Sequence, residues 1–179
     1  AVGSHGVRTV ANFVKQQKLE ALILRSCSLG ELGVTQIALV LPLASGSLKL
    51  LDLSGNHATE PAGLVLASTL ATVKLERLIL QENPLSSSIG PIADALDIGG
   101  CVQQLSLAST DLCQSETISR MCRSLFLRHL HLTHLDLANN KINGNKLEVR
   151  LLNIIQVQPL DNSMNPIVQL MQHHFHLKV

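Results

Sequence analysis

The chain has 179 residues, a formal net charge of +1 and a mean hydropathy of +0.27. Aromatic residues make up 2% of the sequence, with no Tyr or Trp, so it lacks the stacking platforms that hold single-stranded nucleic acid. Lys and Arg form no run, and no apolar stretch approaches the ~18 residues of a membrane helix. These features argue against nucleic-acid and membrane partners.

Cysteine spacing and the first residues bear on the cellular compartment. Cys27, Cys101, Cys113 and Cys122 fall in no Cys-x-x-Cys pair and no recognisable disulfide framework. Residues 1–8 lack the basic and apolar regions of a signal peptide. We therefore expect free thiols and a cytoplasmic location, with the nucleus as the alternative.

One pattern recurs along the chain: Leu-x-x-Leu-x-Leu-x-x, then Asn, Cys or Thr, then an apolar residue two positions later. Copies start at Leu19, Leu48, Leu75, Val102 and Leu132, with a sixth at Val157 that is weaker because Asn162 replaces an apolar residue. The Asn, Cys or Thr position is filled by Cys27, Asn56, Asn83, Thr110, Asn140 and Asn165. Its successive spacings are 29, 27, 27, 30 and 25 residues. This near-constant period indicates internal repeats.

Each repeat predicts a strand, a turn and a helix. Leu-x-Leu has period 2, which is typical of a short strand with one buried face. The Asn, Cys or Thr side chain is expected to bond backbone groups where the strand turns away, forming a ladder from unit to unit. The predicted core leucines of the strands are Leu53, Leu80, Leu107 and Leu137. The predicted apolar stripes of the helices are Ile37, Leu41; Leu66, Leu70; Ile92, Leu96; Ile118, Cys122, Leu125; Leu151, Ile154, Ile155, with Pro61 and Pro91 near helix starts.

Units of about 28 residues with a helix in the second half resemble the ribonuclease-inhibitor-like subclass of leucine-rich repeats. The segments Leu19-Glu-Ala-Leu-Ile-Leu-Arg-Ser-Cys27 and Leu48-Lys-Leu-Leu-Asp-Leu-Ser-Gly-Asn56 carry this resemblance, which covers essentially the whole chain. The subclass also includes Ran GTPase-activating proteins and the sensor domains of nucleotide-binding innate-immune receptors. The resemblance implies an α/β leucine-rich repeat solenoid, a horseshoe with short parallel strands on the concave face and helices on the convex face. It implies little about function.

We expect a single leucine-rich repeat domain over residues 1–179. Residues 1–18 would be a partial first repeat, residues 19–156 five repeats, and residues 157–179 a degenerate last repeat with a closing helix. The partial repeat is inferred because residues 6–14 align with residues 33–41 at a shift of 27 positions. This start favours a fragment of a longer protein; the alternative is a natural protein with an abbreviated first unit.

Motifs of nucleotide binding, nucleophilic hydrolysis and zinc catalysis are lacking in the sequence. We therefore predict that the protein has no enzymatic activity, no cofactor and no metal site. The histidines group as His129, His131, His134 near the fifth strand and His173, His174, His176 near the end. The second group lacks the i, i+4 pair of a helical zinc site, so surface histidines are favoured over ligands. Cys27 occupies the ladder position and is interpreted as structural rather than reactive.

Strand alternation sets the predicted binding face, because residues between the strand leucines point into the concavity. The predicted binding residues are Ile23, Arg25, Leu50, Asp52, Arg77, Ile79, Gln81, His134 and Asp136. The three aliphatic members are expected to touch as an apolar centre, with charged side chains around it, as in a protein-binding patch. Ordinary strand propensity on a half-exposed face is the competing explanation.

These observations favour a non-enzymatic scaffold that binds another protein on its concave face. The alternatives are a regulatory protein of the GTPase-activating type and a ligand-sensing repeat domain of a larger protein. Neither the partner's identity nor the oligomeric state follows from the sequence.

Overall fold

The computed structural model describes residues 3–16, 18–44, 46–127 and 132–142. Its α-helices are α1 (Gly3–Gln16), α2 (Gly30–Val40), α3 (Glu60–Leu70), α4 (Ile89–Gly99) and α5 (Ser115–Leu127). Its strands are β1 (Ala21–Ile23), β2 (Leu50–Asp52), β3 (Arg77–Ile79), β4 (Gln104–Ser106) and β5 (His134–Asp136). Short 3-10 turns span Leu41–Ala44 and Ser86–Ser88.

The strands form one parallel sheet in the order β1-β2-β3-β4-β5, so each strand pairs with the next one along the chain. The helices pack in the same order, each against its successor. Helices are about 10 Å wide and neighbouring strands about 4.8 Å apart, so the stack curves with the sheet inside. The result is an α/β solenoid of strand–turn–helix units, as the repeat predicts.

Leucines of the strands form the core between the two layers. Leu53, Leu80 and Leu107 have exposed fractions of 1%, 1% and 0%, which confirms their prediction as core residues. Leu137 was also predicted to be buried, but it is only partly buried. It follows β5, the last strand of the described sheet, which has a described neighbour on one side only. The helix stripes are buried as predicted at Ile37, Leu41, Leu66, Leu70, Ile92, Leu96, Ile118, Cys122 and Leu125.

The predicted ladder of side-chain hydrogen bonds is confirmed by its asparagines. Asn56 Oδ1 accepts the backbone N–H of Cys27 at 3.0 Å, while its Nδ2 donates to the carbonyl oxygen of Leu24 at 2.7 Å. Asn83 makes the equivalent two bonds to the backbone of the Asn56 unit, and Asn140 makes them to the backbone of the Thr110 unit. Each amide thus satisfies buried backbone groups of the unit before it, so the ladder fixes the register between units.

Left-handed backbone marks the turn that leaves each strand. The residue before each ladder side chain has positive φ, and these residues are Ser26, Gly55, Glu82, Ser109 and Asn139. In three units the residue after the ladder side chain is also left-handed, namely Ser28, His57 and Asp111. The third unit has Pro84 there, whose ring fixes φ near −65°. In this unit Ser86 is the residue with positive φ, and the 3-10 turn Ser86–Ser88 precedes α4.

The two ends of the chain differ in how far the structure describes them. Residues 3–16 form α1, which packs against α2 through the buried Val7 and Val14, so a helix lies where the alignment with residues 33–41 predicts one. The sixth repeat, the closing helix and the predicted core positions Leu151, Ile154 and Ile155 lie outside the described residues.

Candidate functional site

Side chains on the inner face of the sheet lie in rows that run across the strands. One row contains Ala21, Leu50, Arg77, Gln104 and His134, and the next contains Ile23, Asp52, Ile79, Ser106 and Asp136. The same spacing gives a third row of Arg25, Ser54, Gln81, Ala108 and Ala138. Between the first two rows the strand leucines point into the core, so the row residues point away from it. Every predicted binding residue belongs to one of these rows.

The strand register places the three aliphatic residues in two different rows. Ile23 pairs with Asp52 and Asp52 pairs with Ile79, whereas Leu50 lies in the neighbouring row between Ala21 and Arg77. At about 4.8 Å between strands, the two isoleucines are roughly 10 Å apart with a carboxylate between them. Leu50 lies diagonal to both isoleucines, one strand and two residues away from each, so the three aliphatic residues do not share one row.

Asp52 also differs from the expected exposed charge. It is 8% exposed, and its Oδ1 accepts hydrogen bonds from the backbone N–H of Ser54 at 2.9 Å and from Ser54 Oγ at 2.5 Å. Such a local bond to the residue two positions on is typical of aspartate where a strand turns. Asp52 therefore shapes the exit of β2 and is not part of an exposed charged rim.

Three predicted residues of the first three strands remain open to solvent. Ile23 is 61% exposed, and Arg25 and Arg77 are exposed as well. Across the described ranges neither arginine forms an ion pair, whereas Arg120 pairs with Asp94 at 2.6 Å on the helical side. The distinctive feature of the inner face is thus an exposed aliphatic residue, Ile23, next to the exposed Arg25, with the exposed Arg77 two strands away.

Comparisons with known proteins agree with this architecture. A family model described as "Leucine Rich repeat" matches residues 128–145, and no curated protein matches the sequence. The structure of the leiomodin-1 actin-binding site 2 superposes with a TM-score of 0.67 at 14% identity, covering 93% of this chain and 90% of that one. The tropomodulin C-terminal domain from Caenorhabditis elegans superposes with a TM-score of 0.67 at 8% identity, covering 84% of this chain and 94% of that one.

The chain is a leucine-rich repeat solenoid. The repeat, the parallel sheet and the superposed structures agree on this point. At these identities the superpositions show the fold alone, and the ribonuclease-inhibitor-like subclass stays a prediction.

The far end of the inner face is more polar than the first three units of the solenoid. His134 and Asp136 are both exposed and lie on the same face of β5, as predicted. Asp136 Oδ1 accepts the backbone N–H of Ala138 at 3.0 Å, and its Oδ2 accepts a hydrogen bond from Ser106 Oγ at 3.1 Å. His134 Nδ1 is 2.9 Å from Thr133 Oγ1. The other predicted histidines, His129, His131, His173, His174 and His176, lie outside the described residues.

The helical side of the solenoid also exposes large apolar side chains, which the sequence pattern did not identify. They are Phe13, Leu32, Leu39, Leu43, Leu64 and Ile98. Leu32 and Leu39 are seven residues apart on α2, and seven residues make nearly two helical turns, so they share one face. The sequence signal is that the apolar residues of α2 are not confined to one side, because Leu32 and Leu39 lie outside the stripe of Ile37 and Leu41.

The described part of the chain contains four thiols but neither a metal-ligand cluster nor a membrane-spanning helix. None of the four cysteines forms a disulfide; Cys113 is exposed, Cys122 is buried, and Cys27 and Cys101 are half-buried. Within the described ranges, no cluster of three or more His, Cys, Asp or Glu residues is placed to hold a metal ion. No helix among these residues has the length and apolar character needed to cross a membrane.

Proposed function

We propose that this solenoid is a protein-interaction domain whose partner lies on the inner face of units one to three. The observation that carries the proposal is Ile23, which is 61% exposed on a sheet face beside Arg25. Full burial of an aliphatic side chain of this size is worth about 1.5–3 kcal/mol. Arginine is enriched in protein interfaces and among the residues that dominate binding energy.

The corrected geometry changes which residues contribute to the proposed interface. Ile23, Arg25 and Arg77 are exposed and serve as the direct contacts, while Leu50 and Ile79 are half-buried and supply the apolar floor. Asp52 stabilises the turn after β2 through its hydrogen bonds with Ser54, and so contributes to the shape of the proposed interface. Gln81, His134 and Asp136 lie further along the rows and would contact a larger partner.

The superposed structures supply one defined candidate partner. The leiomodin-1 structure is described as an actin-binding site, so purified actin is the first protein to test against this chain. A non-enzymatic role in the cytoplasm is part of the proposal. The GTPase-activating and ligand-sensing roles stay alternatives.

Two substitutions matched in exposure test which side of the solenoid binds. Ile23→Asp changes the inner face and Leu39→Asp changes the helical face, and both residues are 61% exposed in the free chain. Actin pull-down and affinity capture followed by mass spectrometry should identify a protein that wild type and Leu39→Asp retain and Ile23→Asp loses. Circular dichroism and thermal melting should be unchanged for both variants.

Leu50→Asp is a second inner-face variant, and it needs the melting control because Leu50 is half-buried. The proposal is wrong if the captured proteins are lost with Leu39→Asp and kept with Ile23→Asp. That result would place the interface on the exposed leucines of α2.

A further inference from the structure

Charge is unevenly distributed along the inner face of the solenoid. In the rows of the first three strands, the exposed charged residues are Arg25 and Arg77, since the carboxylate of Asp52 is buried against Ser54. In the rows of the last two strands, the charged residue is the exposed Asp136. Over units one to three, the rows therefore present two exposed positive charges against the buried negative charge of Asp52.

Acidic residues limit this positive region at both edges of the sheet. Glu20 precedes β1 on the entry side, and Glu82 follows Gln81 on the exit side; both are exposed. Lys49 and Glu76, also on the entry side, pair with each other at 3.5 Å and so contribute no net charge. A negatively charged group is thus favoured between the edges and disfavoured beyond them.

We propose that the partner segment bound here is acidic and apolar: carboxylates that pair with Arg25 and Arg77, and an aliphatic or aromatic side chain that covers Ile23. This inference rests on the proposed function. Covering an arginine without giving it a counter-charge costs several kcal/mol in lost hydration, whereas a carboxylate can accept two parallel hydrogen bonds from one guanidinium group. A basic segment would be repelled during encounter.

The spacing of the two arginines sets the size of that segment. Their positions differ by two strands and by four residues along the strand direction. At about 4.8 Å per strand and 3.3 Å per residue, the two Cα atoms are roughly 16 Å apart. An extended peptide crosses this distance in about five residues. The segment therefore needs two carboxylates near the ends of a five- to six-residue stretch with an apolar centre.

Synthetic peptides test this chemistry directly. The probe is a fluorescein-labelled peptide with two glutamates separated by four residues that include leucines, and matched peptides carry glutamine or lysine in place of glutamate. Fluorescence anisotropy with the full chain should show about tenfold tighter binding of the glutamate peptide than of the glutamine peptide at about 0.05 M ionic strength. The difference should shrink at about 0.5 M because salt screens exposed charges.

Charge reversal identifies the groups responsible. The double variant Arg25→Glu/Arg77→Glu should weaken binding of the glutamate peptide at least about tenfold and make the lysine peptide the better ligand. Arg123→Glu is the control, because Arg123 is exposed on α5, where it forms a surface ion pair with Glu116 at 3.7 Å and a hydrogen bond to the carbonyl oxygen of Ser119 at 3.4 Å. That control should bind all three peptides as wild type does.

Three results would overturn the inference: equal binding of the glutamine peptide, tighter binding of the lysine peptide to wild type, or no binding of the glutamate peptide at about 1 mM. The same variants separate this inference from the proposed function. If a captured protein is lost with Ile23→Asp but kept with the double arginine variant, the inner face binds a protein and the acidic chemistry is wrong. If neither variant affects a captured protein, the proposed function is wrong as well.

Discussion

Asn83 holds the backbone of Asn56 in the preceding unit: the N–H of Asn56 donates to Asn83 Oδ1 at 3.1 Å. The same oxygen accepts the N–H of Ala58 at 2.9 Å, and Asn83 Nδ2 donates to the carbonyl oxygens of Leu53 and Leu80. Asn83 itself is 1% exposed. One side chain thus satisfies four buried backbone groups, which water cannot reach while the units remain stacked.

Asn83→Ala should therefore lower the free energy of unfolding by about 3 kcal/mol or more, because each buried group left without a partner costs about 1–3 kcal/mol. Urea denaturation followed by circular dichroism measures the change. Asn12→Ala is the matched control, since Asn12 is exposed on α1 and alanine is the better helix former. Equal effects of the two substitutions would contradict the structural role of the ladder.

Leu80→Ala should destabilise the protein by about 2–5 kcal/mol, because Leu80 is 1% exposed and its loss leaves a cavity in the core. Leu39→Ala should change stability by less than about 0.5 kcal/mol, because Leu39 is 61% exposed. Chemical denaturation of the two variants side by side checks both values. A near-zero effect for Leu80→Ala would mean that the repeat register is wrong.

The repeat pattern predicts those features that depend on one residue type at one repeat position. A leucine in a period-2 strand has to point inward, and an asparagine at the strand exit can bond two units at once, so Leu80 and Asn83 were foreseeable. Pairing of equivalent positions follows from the same logic, because the ladder fixes the register. Leu137 occupies the same repeat position and is only half-buried, so repeat position alone does not fix the degree of burial.

Features that depend on cross-strand neighbours were harder to predict. Asp52 lies between two isoleucines and bonds Ser54, which follows only when the rows are aligned and the local turn is known. The diagonal placement of Leu50 between Ile23 and Ile79 likewise follows only from the strand register. The exposed leucines of α2 were missed because apolar residues occur on more than one side of this helix, so the pattern does not indicate which face is covered.

The four thiols should differ in reactivity according to their exposure. Thiol counting in denaturant without reductant should find four thiols, since none of the four cysteines forms a disulfide in the fold. In the native protein a thiol-specific reagent should label Cys113 first, because it is exposed, and Cys122 only on unfolding, because it is 0% exposed. Cys113→Ser should remove the fast phase alone. Two or fewer thiols in denaturant would contradict both the fold and the expected reducing compartment.

The left-handed residue that follows each strand allows two substitutions with opposite expected effects on stability. Gly55 and Glu82 occupy this position in neighbouring units, with φ of +63° and +59°. A side chain other than glycine in this region is strained by about 1–2 kcal/mol. A Cβ at Gly55 would also lie 2.8 Å from Ser26 Oγ. Gly55→Ala should therefore destabilise the protein by about 1–2 kcal/mol, as measured by thermal and urea denaturation.

Glu82→Gly should act in the opposite direction. It removes the strained side chain and keeps the backbone hydrogen bond from Glu82 N–H to the carbonyl oxygen of Ala108 at 2.9 Å, so we expect a stability gain of up to about 1 kcal/mol. Part of the relief is offset because glycine gives the unfolded chain more freedom. Gly46→Ala is the control, because Gly46 lacks a left-handed φ and a Cβ there would have open space. That control should leave stability unchanged or slightly raised, and a loss at Gly46 equal to that at Gly55 would show that the left-handed turn is not the cause.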